Sequence, residues 1–186
     1  EELGPDGRSV RQGEGFVPCE VREEVIKVKG RPDVVEDIVV TPRGPIVGPA
    51  LDSGFEAVSL KATWLERRQA NGFLGVHKVS SFQEFRDLFR EWPYMSLNTV
   101  YSDTTGAIGA QLVGDVPKRR ASWGTVPAAG WEARGDWEDD LVPFDDLPHE
   151  LNPPGGILAT ANNQPAVDGE GPFLGVDWVD GYRAAR

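Results

Sequence analysis

The sequence predicts an α+β fold of mainly antiparallel strands with few helices, built as a single domain over residues 1–186. The chain contains 22 Gly and 15 Pro, which favours many turns and short strands. Runs of alternating β-branched residues lie between these turns, and one segment has clear helical periodicity. With 39% hydrophobic residues, six Trp and eight Phe, a chain of this length can bury one substantial core.

The first third of the chain predicts a series of strands. Residues 1–18 are rich in Gly, Pro and charge, so we expect them to be extended or loose. Residues 21–30 form an exposed edge strand, and residues 34–40 return as the second strand of a hairpin. Three prolines make 41–50 a bend with a short strand inside, because proline cannot donate to a ladder. Alternation predicts another strand over 55–64.

The one clear helix begins at a capping box formed by Ser81 and Glu84, whose side chains each satisfy the other's free amide. Its apolar stripe consists of Phe82, Phe85, Leu88, Phe89 and Trp92. Pro93 ends it. Residues 97–102 and 107–113 then predict a hairpin, and most of 114–150 is expected to be loop.

The charge balance limits the possible partners. A net charge of −11 and an isoelectric point near 4.6 disfavour binding to nucleic acid and to anionic membranes, whose phosphates would repel the chain. No apolar run is long enough to span a bilayer. The sequence thus predicts neither a nucleic-acid nor a membrane partner.

Metal and nucleophile signatures are weak. Cys19 is the only cysteine, so the chain has no internal disulfide and no cysteine metal cage. His77 and His149 lack a second ligand at metal-binding spacing, and we assign no metal site. The acidic pairs at 139–140 and 145–146 are expected to be solvated loop charge.

The stretch NPPGGILATANN (152–163) carries the chief candidate for chemistry. Residues 153–156 predict a forced turn, because proline fixes φ and glycine accepts positive φ. Residues 157–161 predict a short strand that presents Asn162 and Asn163 at its end. A side-chain amide donates hydrogen bonds without charge, which suits an oxyanion. The alternative is a turn in which both amides cap local backbone groups.

Several short motifs follow one another in a characteristic order. They are TPRGPIV (41–47), SDTTGAIG (102–109), GDVPKRR (114–120), VPAAGW (126–131), DW (136–137), VPFDDLP (142–148), NPP (152–154), FLG (173–175) and YRAAR (182–186). In this order they resemble the penicillin-acylase family of N-terminal-nucleophile hydrolases, over about residues 16–186. The resemblance implies a part of a four-layer αββα sandwich, and an activity that removes an acyl group from an N-acylated amine such as a β-lactam antibiotic. An acyl-homoserine lactone is the alternative substrate.

The resemblance also implies roles for four residues. Asn162 matches the side-chain donor of the oxyanion hole, and Arg183 matches an arginine that holds this asparagine and the nucleophile's amino group. The alternative for Arg183 is a C-terminal salt bridge. Leu97 and Phe73 fall where the family has the walls of its acyl pocket. Calcium is possible in the parent enzyme, yet one expected ligand position aligns near Pro172, which has no carboxylate.

In that family the nucleophile is a serine at the start of the catalytic chain, with its own α-amino group as the base. Glu1 has no hydroxyl or thiol, so this chain resembles the middle to later part of the nucleophile-bearing subunit without the nucleophile. We therefore expect the chain to be inactive alone and to act on an acyl amide only with the rest of the acylase. The resemblance implies that this parent enzyme is periplasmic or secreted. We also expect the isolated chain to self-associate through apolar surface that the rest of the enzyme would cover. Two alternatives stay open: a non-catalytic acidic binding or structural module, and a hydrolase with another nucleophile such as Cys19.

Overall fold

The computed structural model describes residues 1–48, 57–69, 71–121, 124–167 and 169–185. The chain forms two compact units. Unit 1 contains Glu1–Leu65 and Arg119–Asp136, and unit 2 contains Glu66–Lys118 and Trp137–Arg186. The single domain over 1–186 stays a prediction.

Unit 1 begins with a hairpin where the sequence predicts extended or loose chain. Strand β1 (Ser9–Gln12) pairs antiparallel with β2 (Gly15–Pro18). Val10, in β1, is fully buried. Of the two states expected for 1–18, residues 9–18 are extended, and they form an ordered hairpin because Val10 is buried and Gly13, with φ of 60°, allows a tight turn.

The predicted hairpin that follows is confirmed. Strand β3 (Glu20–Ile26) pairs along its whole length with β4 (Val34–Thr41), and β4 also pairs with the short β5 (Gly44–Pro45). The three-stranded sheet has the order β3-β4-β5. β5 is the short strand expected within the proline-rich bend, and only two residues of the ladder form there.

The strand expected over 55–64 does not form as a continuous strand. Residues 55–56 lie outside the described residues, and the remainder pairs only at a single bridge between Ser59 and Ile46. The Ser59 hydroxyl donates to the Glu1 carboxylate at 2.6 Å, and the Glu1 side chain is 1% exposed. Residues Thr63–Leu65 then turn into a 3-10 helix, which ends the pairing. Alternation alone did not reveal that a buried carboxylate would engage this segment.

The sheet of unit 2 contains the second predicted hairpin, which is also confirmed. Strand β6 (Leu97–Ser102) pairs antiparallel with β7 (Ile108–Val113), and the short β10 (His149–Leu151) pairs with the other edge of β7. Two more strands, β8 (Pro117–Arg119) and β9 (Trp137–Leu141), form a two-stranded sheet. Three strands thus lie in the region 114–150 that the sequence predicts as mostly loop.

Helix α1 (Phe82–Phe89) is capped much as predicted. The Ser81 hydroxyl accepts a hydrogen bond from the Glu84 backbone N–H at 3.2 Å. The Glu84 carboxylate, however, accepts from the Ser80 backbone N–H at 2.7 Å and from the Ser80 hydroxyl at 2.8 Å, where the capping box predicts the amide of Ser81. The helix ends before Pro93, and Trp92 continues the apolar stripe from a turn.

The aromatic stripe of α1 packs on β6 and β7. The buried residues of this aromatic cluster are Phe82, Phe85, Phe89, Tyr101 and Val113. A second buried cluster contains Leu112, Val116, Val142 and Leu147. Antiparallel sheets with one α-helix among the described residues confirm the predicted α+β class. Within those residues, no helix has the length and apolar character needed to cross a membrane.

Candidate functional site

The turn that begins the candidate site is held by Asn152, a residue whose role the sequence did not indicate. Its backbone N–H donates to the Ile108 carbonyl at 2.8 Å, and its side-chain oxygen accepts from the Ile108 N–H at 3.0 Å. Asn152 has φ of 51°, a left-handed conformation that asparagine tolerates. It therefore closes the β7–β10 ladder with both its backbone and its side chain. An asparagine directly before Pro-Pro at a strand end was the only available signal.

The predicted turn over 153–156 is present. The Gly156 N–H donates to the Pro153 carbonyl at 2.8 Å, and Gly156 has φ of 66°. The strand predicted over 157–161 is wrong, since those residues have no strand pairing and Ile157 is 78% exposed. A short apolar run forms a strand only beside a partner, and the described part of the chain places none there.

Asn162 is presented by a loop in place of the expected strand end. It has φ of 62°, and its carbonyl accepts a hydrogen bond from the Val179 N–H at 3.1 Å. The C-terminal segment is itself folded by a turn in which the Ala185 N–H donates to the Gly181 carbonyl at 3.0 Å. Backbone contacts thus join the Asn162 loop to the segment that carries Arg183.

The structure brings the two predicted catalytic residues together. Nη2 of Arg183 donates to the side-chain oxygen of Asn162 at 2.6 Å and to the Ala161 carbonyl at 2.6 Å. A guanidinium has no acceptor, so the amide oxygen must be the atom that faces it. The NH2 group of Asn162 is then the part of the amide that can donate to another acceptor, and donation from Nδ2 is what an oxyanion requires. We call this contact the amide–guanidinium pair.

Asn163 follows the alternative interpretation of the Asn-Asn sequence. Its side-chain oxygen accepts from the Ala161 N–H at 2.9 Å, and its NH2 group donates to the Gln164 carbonyl at 3.1 Å. Asn163 therefore caps local backbone, whereas Asn162 contacts an arginine 21 residues away. The two neighbouring amides have different environments.

The two predicted pocket residues lie at the aromatic cluster of unit 2. Leu97, at the start of β6, is partly buried against that cluster. Phe73 begins a 3-10 helix (Phe73–Lys78), and its ring makes edge contacts with Phe89 at 5.0 Å and Trp92 at 5.2 Å. Phe73 is 54% exposed, so one side of its ring remains accessible. No contact found among the described residues joins Phe73 or Leu97 to the amide–guanidinium pair.

Within the acidic pair at 145–146, Asp145 is 62% exposed, as expected of loop charge, but it is also ion-paired. Asp145 accepts hydrogen bonds from Arg90 at 2.8 and 3.1 Å and from Arg86 at 3.0 Å. The bonds from Arg90 come first among the causes that hold the pKa of Asp145 below its usual value. Arg86 lies in α1 and Arg90 at its C-terminal cap, four residues apart and therefore on the same face. This spacing is the sequence signal that could have indicated that both arginines bind one carboxylate.

Calcium in the parent enzyme stays a prediction. No group of three or more His, Cys, Asp or Glu side chains within them lies close enough to hold a metal ion. Pro172 lines a cavity of about 210 Å³ between Gln164 and Trp178, and it supplies no carboxylate there.

Cys19 is poorly suited to be an alternative nucleophile. Burial, followed by the nearby charge of Glu1, raises the pKa of its thiol. Only the thiolate attacks efficiently, so this shift works against nucleophilic catalysis. His149, the first residue of β10, donates through Nδ1 to the carbonyl of Leu147, which precedes the strand, at 2.8 Å and so acts as a structural side chain.

Comparison with known proteins identifies the family. The penicillin amidase family model matches residues 1–186. The chain is 31% identical over 189 residues to penicillin acylase 2 proenzyme of Pseudomonas sp. (strain SE83), covering 100% of the chain and 24% of that protein. It is 31% identical over 173 residues to acyl-homoserine lactone acylase QuiP of Pseudomonas fluorescens (strain Pf-5), covering 91% of the chain and 21% of that protein.

A solved structure has the same fold. A thermostable penicillin G acylase from Alcaligenes faecalis superposes with a TM-score of 0.76 and 28% identity, over 97% of this chain and 32% of that one. The chain thus spans about a quarter of the length of the curated relatives it matches. The predicted likeness is confirmed, and the chain belongs to the penicillin amidase family.

Proposed function

We propose that this chain is part of an amide hydrolase that removes the acyl group from an N-acylated amine. The observation that carries the proposal is the amide–guanidinium pair. Arg183 holds the oxygen of the Asn162 amide, so the Nδ2 donor is directed away from the arginine. Membership in the penicillin amidase family supports this assignment.

The chemistry follows from how charge develops during attack on an amide. In this proposal a serine at the start of the catalytic chain attacks the carbonyl, and its α-amino group accepts the hydroxyl proton. The carbonyl oxygen then becomes an oxyanion, and Nδ2 of Asn162 donates to it. Because the donor is held in place before reaction, it stabilises the transition state more than the bound substrate.

The remaining site residues have supporting roles in the proposal. Phe73 and Leu97 form walls for the acyl group, consistent with their positions at the edge of the aromatic cluster. The two named relatives have equal identity to the chain, so both a β-lactam amide and an acyl-homoserine lactone are candidate substrates. We also propose, from the family resemblance, a periplasmic or secreted enzyme in which this chain packs with the rest of the acylase.

Asn162→Asp in the processed enzyme is the sharpest test. Aspartate keeps the shape and the contact with Arg183 but has no N–H donor. We expect kcat to fall by roughly 10²–10³ with a much smaller change in KM for a phenylacetyl amide and for an acyl-homoserine lactone. Gln83→Ala, which removes an exposed amide from α1, is the control and should leave both constants unchanged.

The test separates the alternatives. Wild-type activity in Asn162→Asp would remove Asn162 from the oxyanion site. An absence of acylase activity in the wild-type enzyme on both substrate classes would instead favour the non-catalytic binding module.

A further inference from the structure

The outer half of the β3–β4 hairpin is exposed on both faces. Every residue at positions 22–26 and 34–38 is exposed, and we call this part the distal ribbon. Its apolar side chains include Val25, Ile26, Val34 and Val35, with 42–55% of their surface accessible. A two-stranded ribbon that exposes several neighbouring large apolar side chains is a typical protein-binding surface.

The register of the ribbon places like charges opposite each other. Glu24 faces Glu36 directly, and on the other face Glu23 faces Asp37. Cross-strand pairs of the same charge destabilise a ribbon in water. Asp37 is bonded to Arg8 at 3.0 Å, so that face already meets a cation of its own chain.

The face that carries Glu24 and Glu36 is the better candidate surface. Side chains two residues apart share a face, so the exposed apolar side chains of Ile26, Val34 and Ile38 lie beside this pair. Arg22 also lies on this face. Its guanidinium is engaged chiefly by Glu20, at 2.7 and 3.2 Å, and has a weaker attraction to Glu24. We define the ribbon face as Glu24, Ile26, Val34, Glu36 and Ile38.

We propose that a basic, partly apolar surface elsewhere in the same acylase covers the ribbon face. The facing carboxylates favour a Lys- or Arg-bearing surface over nucleic acid or anionic lipid. A second copy of the ribbon would bring four carboxylates together and is disfavoured. This inference rests on the proposal that the chain is part of a larger acylase, whose relatives are about four times longer.

The sign of a stability change tests the inference. In an uncovered ribbon, Glu36→Gln removes repulsion with Glu24 and should raise the thermal midpoint or leave it unchanged. On a covered face the same change removes an attraction to the basic surface. We therefore expect the midpoint of the processed enzyme to fall by roughly 1 °C, with a smaller fall at high salt.

Glu23→Gln is the matched control because it changes the facing acidic pair on the opposite side of the same ribbon. Its midpoint should not fall. An unchanged or higher midpoint for Glu36→Gln, or an equal fall for both variants, would overturn the inference.

A photo-crosslinking side chain placed at Val34 of the processed enzyme identifies the covering surface. We expect crosslinks to a Lys- or Arg-containing segment outside residues 1–186. Crosslinks to a second copy of the ribbon, or no protein crosslink at all, would overturn the proposed occupant. Glu36→Gln and Glu23→Gln leave Asn162 and Arg183 unaltered, so kcat should stay at the wild-type value and the outcome is independent of the Asn162 test.

Discussion

Arg86 connects the helix of unit 2 to its sheet and to the loop before the candidate site. Its Nε donates to the side-chain oxygen of Gln111 at 2.6 Å, and its Nη2 donates to Asp145 at 3.0 Å. Gln111 is 1% exposed and Arg86 is 8% exposed. The substitution Arg86→Ala would therefore leave the Gln111 oxygen buried without this donor.

The expected loss of stability can be built from these contacts. A buried acceptor that loses its donor costs about 1–3 kcal/mol. Removing the buried part of the arginine stem costs about 1–2 kcal/mol more. The ion pair with Asp145, whose side chain is 62% exposed, adds less than about 1 kcal/mol. We expect Arg86→Ala to lower the free energy of unfolding by about 2–6 kcal/mol.

Arg90→Ala is the matched control. Arg90 pairs with the same Asp145 through a more exposed side chain, 39% accessible, so its loss should cost under about 1 kcal/mol. Denaturant unfolding, supported by amide exchange of β7, measures both variants. A loss within 0.5 kcal/mol of the Arg90→Ala value, on the order of measurement error for such comparisons, would refute the buried-acceptor argument.

A double substitution isolates the Gln111 contribution. Arg86→Met leaves the Gln111 acceptor unsatisfied. Arg86→Met with Gln111→Met removes that acceptor but also the 2.7 Å bond from Nε2 of Gln111 to the Leu112 carbonyl, so only part of the stability should return. If the double variant is less stable than the sum of the single variants predicts, the desolvation argument is wrong.

Three further predictions concern the site and its surroundings. Asn163→Ala should lower kcat by less than about tenfold, because it removes local backbone caps and leaves the contact between Asn162 and Arg183 in place. A larger loss of kcat for Asn163→Ala than for Asn162→Ala would make Asn163 the oxyanion donor in place of Asn162. Phe73→Ala and Leu97→Ala should each raise kcat/KM for bulkier acyl groups relative to smaller ones. The expected change in discrimination is about 1–3 kcal/mol for each methylene by which the acyl groups differ. Unchanged ratios across an acyl series would remove both residues from the pocket. Hydrogen bonds from the Thr105 hydroxyl and then from Tyr101 lower the pKa of Asp103 from 3.8 to about 2. The contribution of Asp103 to stability is therefore present above pH 3.8 and is lost as the pH falls toward 2. Asp103→Asn should remove this acid dependence from the unfolding curves, and identical curves for the variant and the wild type would contradict the prediction.

Local patterns determined most of the regular elements. The pattern of 21–30 and 34–40 and the turn between them predicted a hairpin, because each strand has its pairing partner nearby in sequence. The same holds for the hairpin of β6 and β7 and for the capped helix α1. These elements depend on contacts between neighbours in the chain, which a sequence pattern records directly.

Elements that depend on distant partners were predicted less well. The segment 157–161 has the composition of a strand, yet the described chain provides no neighbouring strand to pair with it. The short strand β10 forms because β7 offers a free edge, although its own three residues have no strand pattern. A ladder needs two strands, and only the tertiary structure decides whether the second one is in place.

The sequence likewise indicated one part of the candidate site, and the tertiary structure decided the other. The order of the motifs pointed to the family, and that resemblance implied Asn162 and Arg183; the residues by themselves indicated only the two neighbouring donor amides at 162–163. The 2.6 Å contact that orients the amide, and the different bonding of Asn163, were decided only by the fold. A side-chain oxygen and a guanidinium 21 residues apart meet because the Val179 N–H bonds to the carbonyl of Asn162, and local sequence contains no record of that contact.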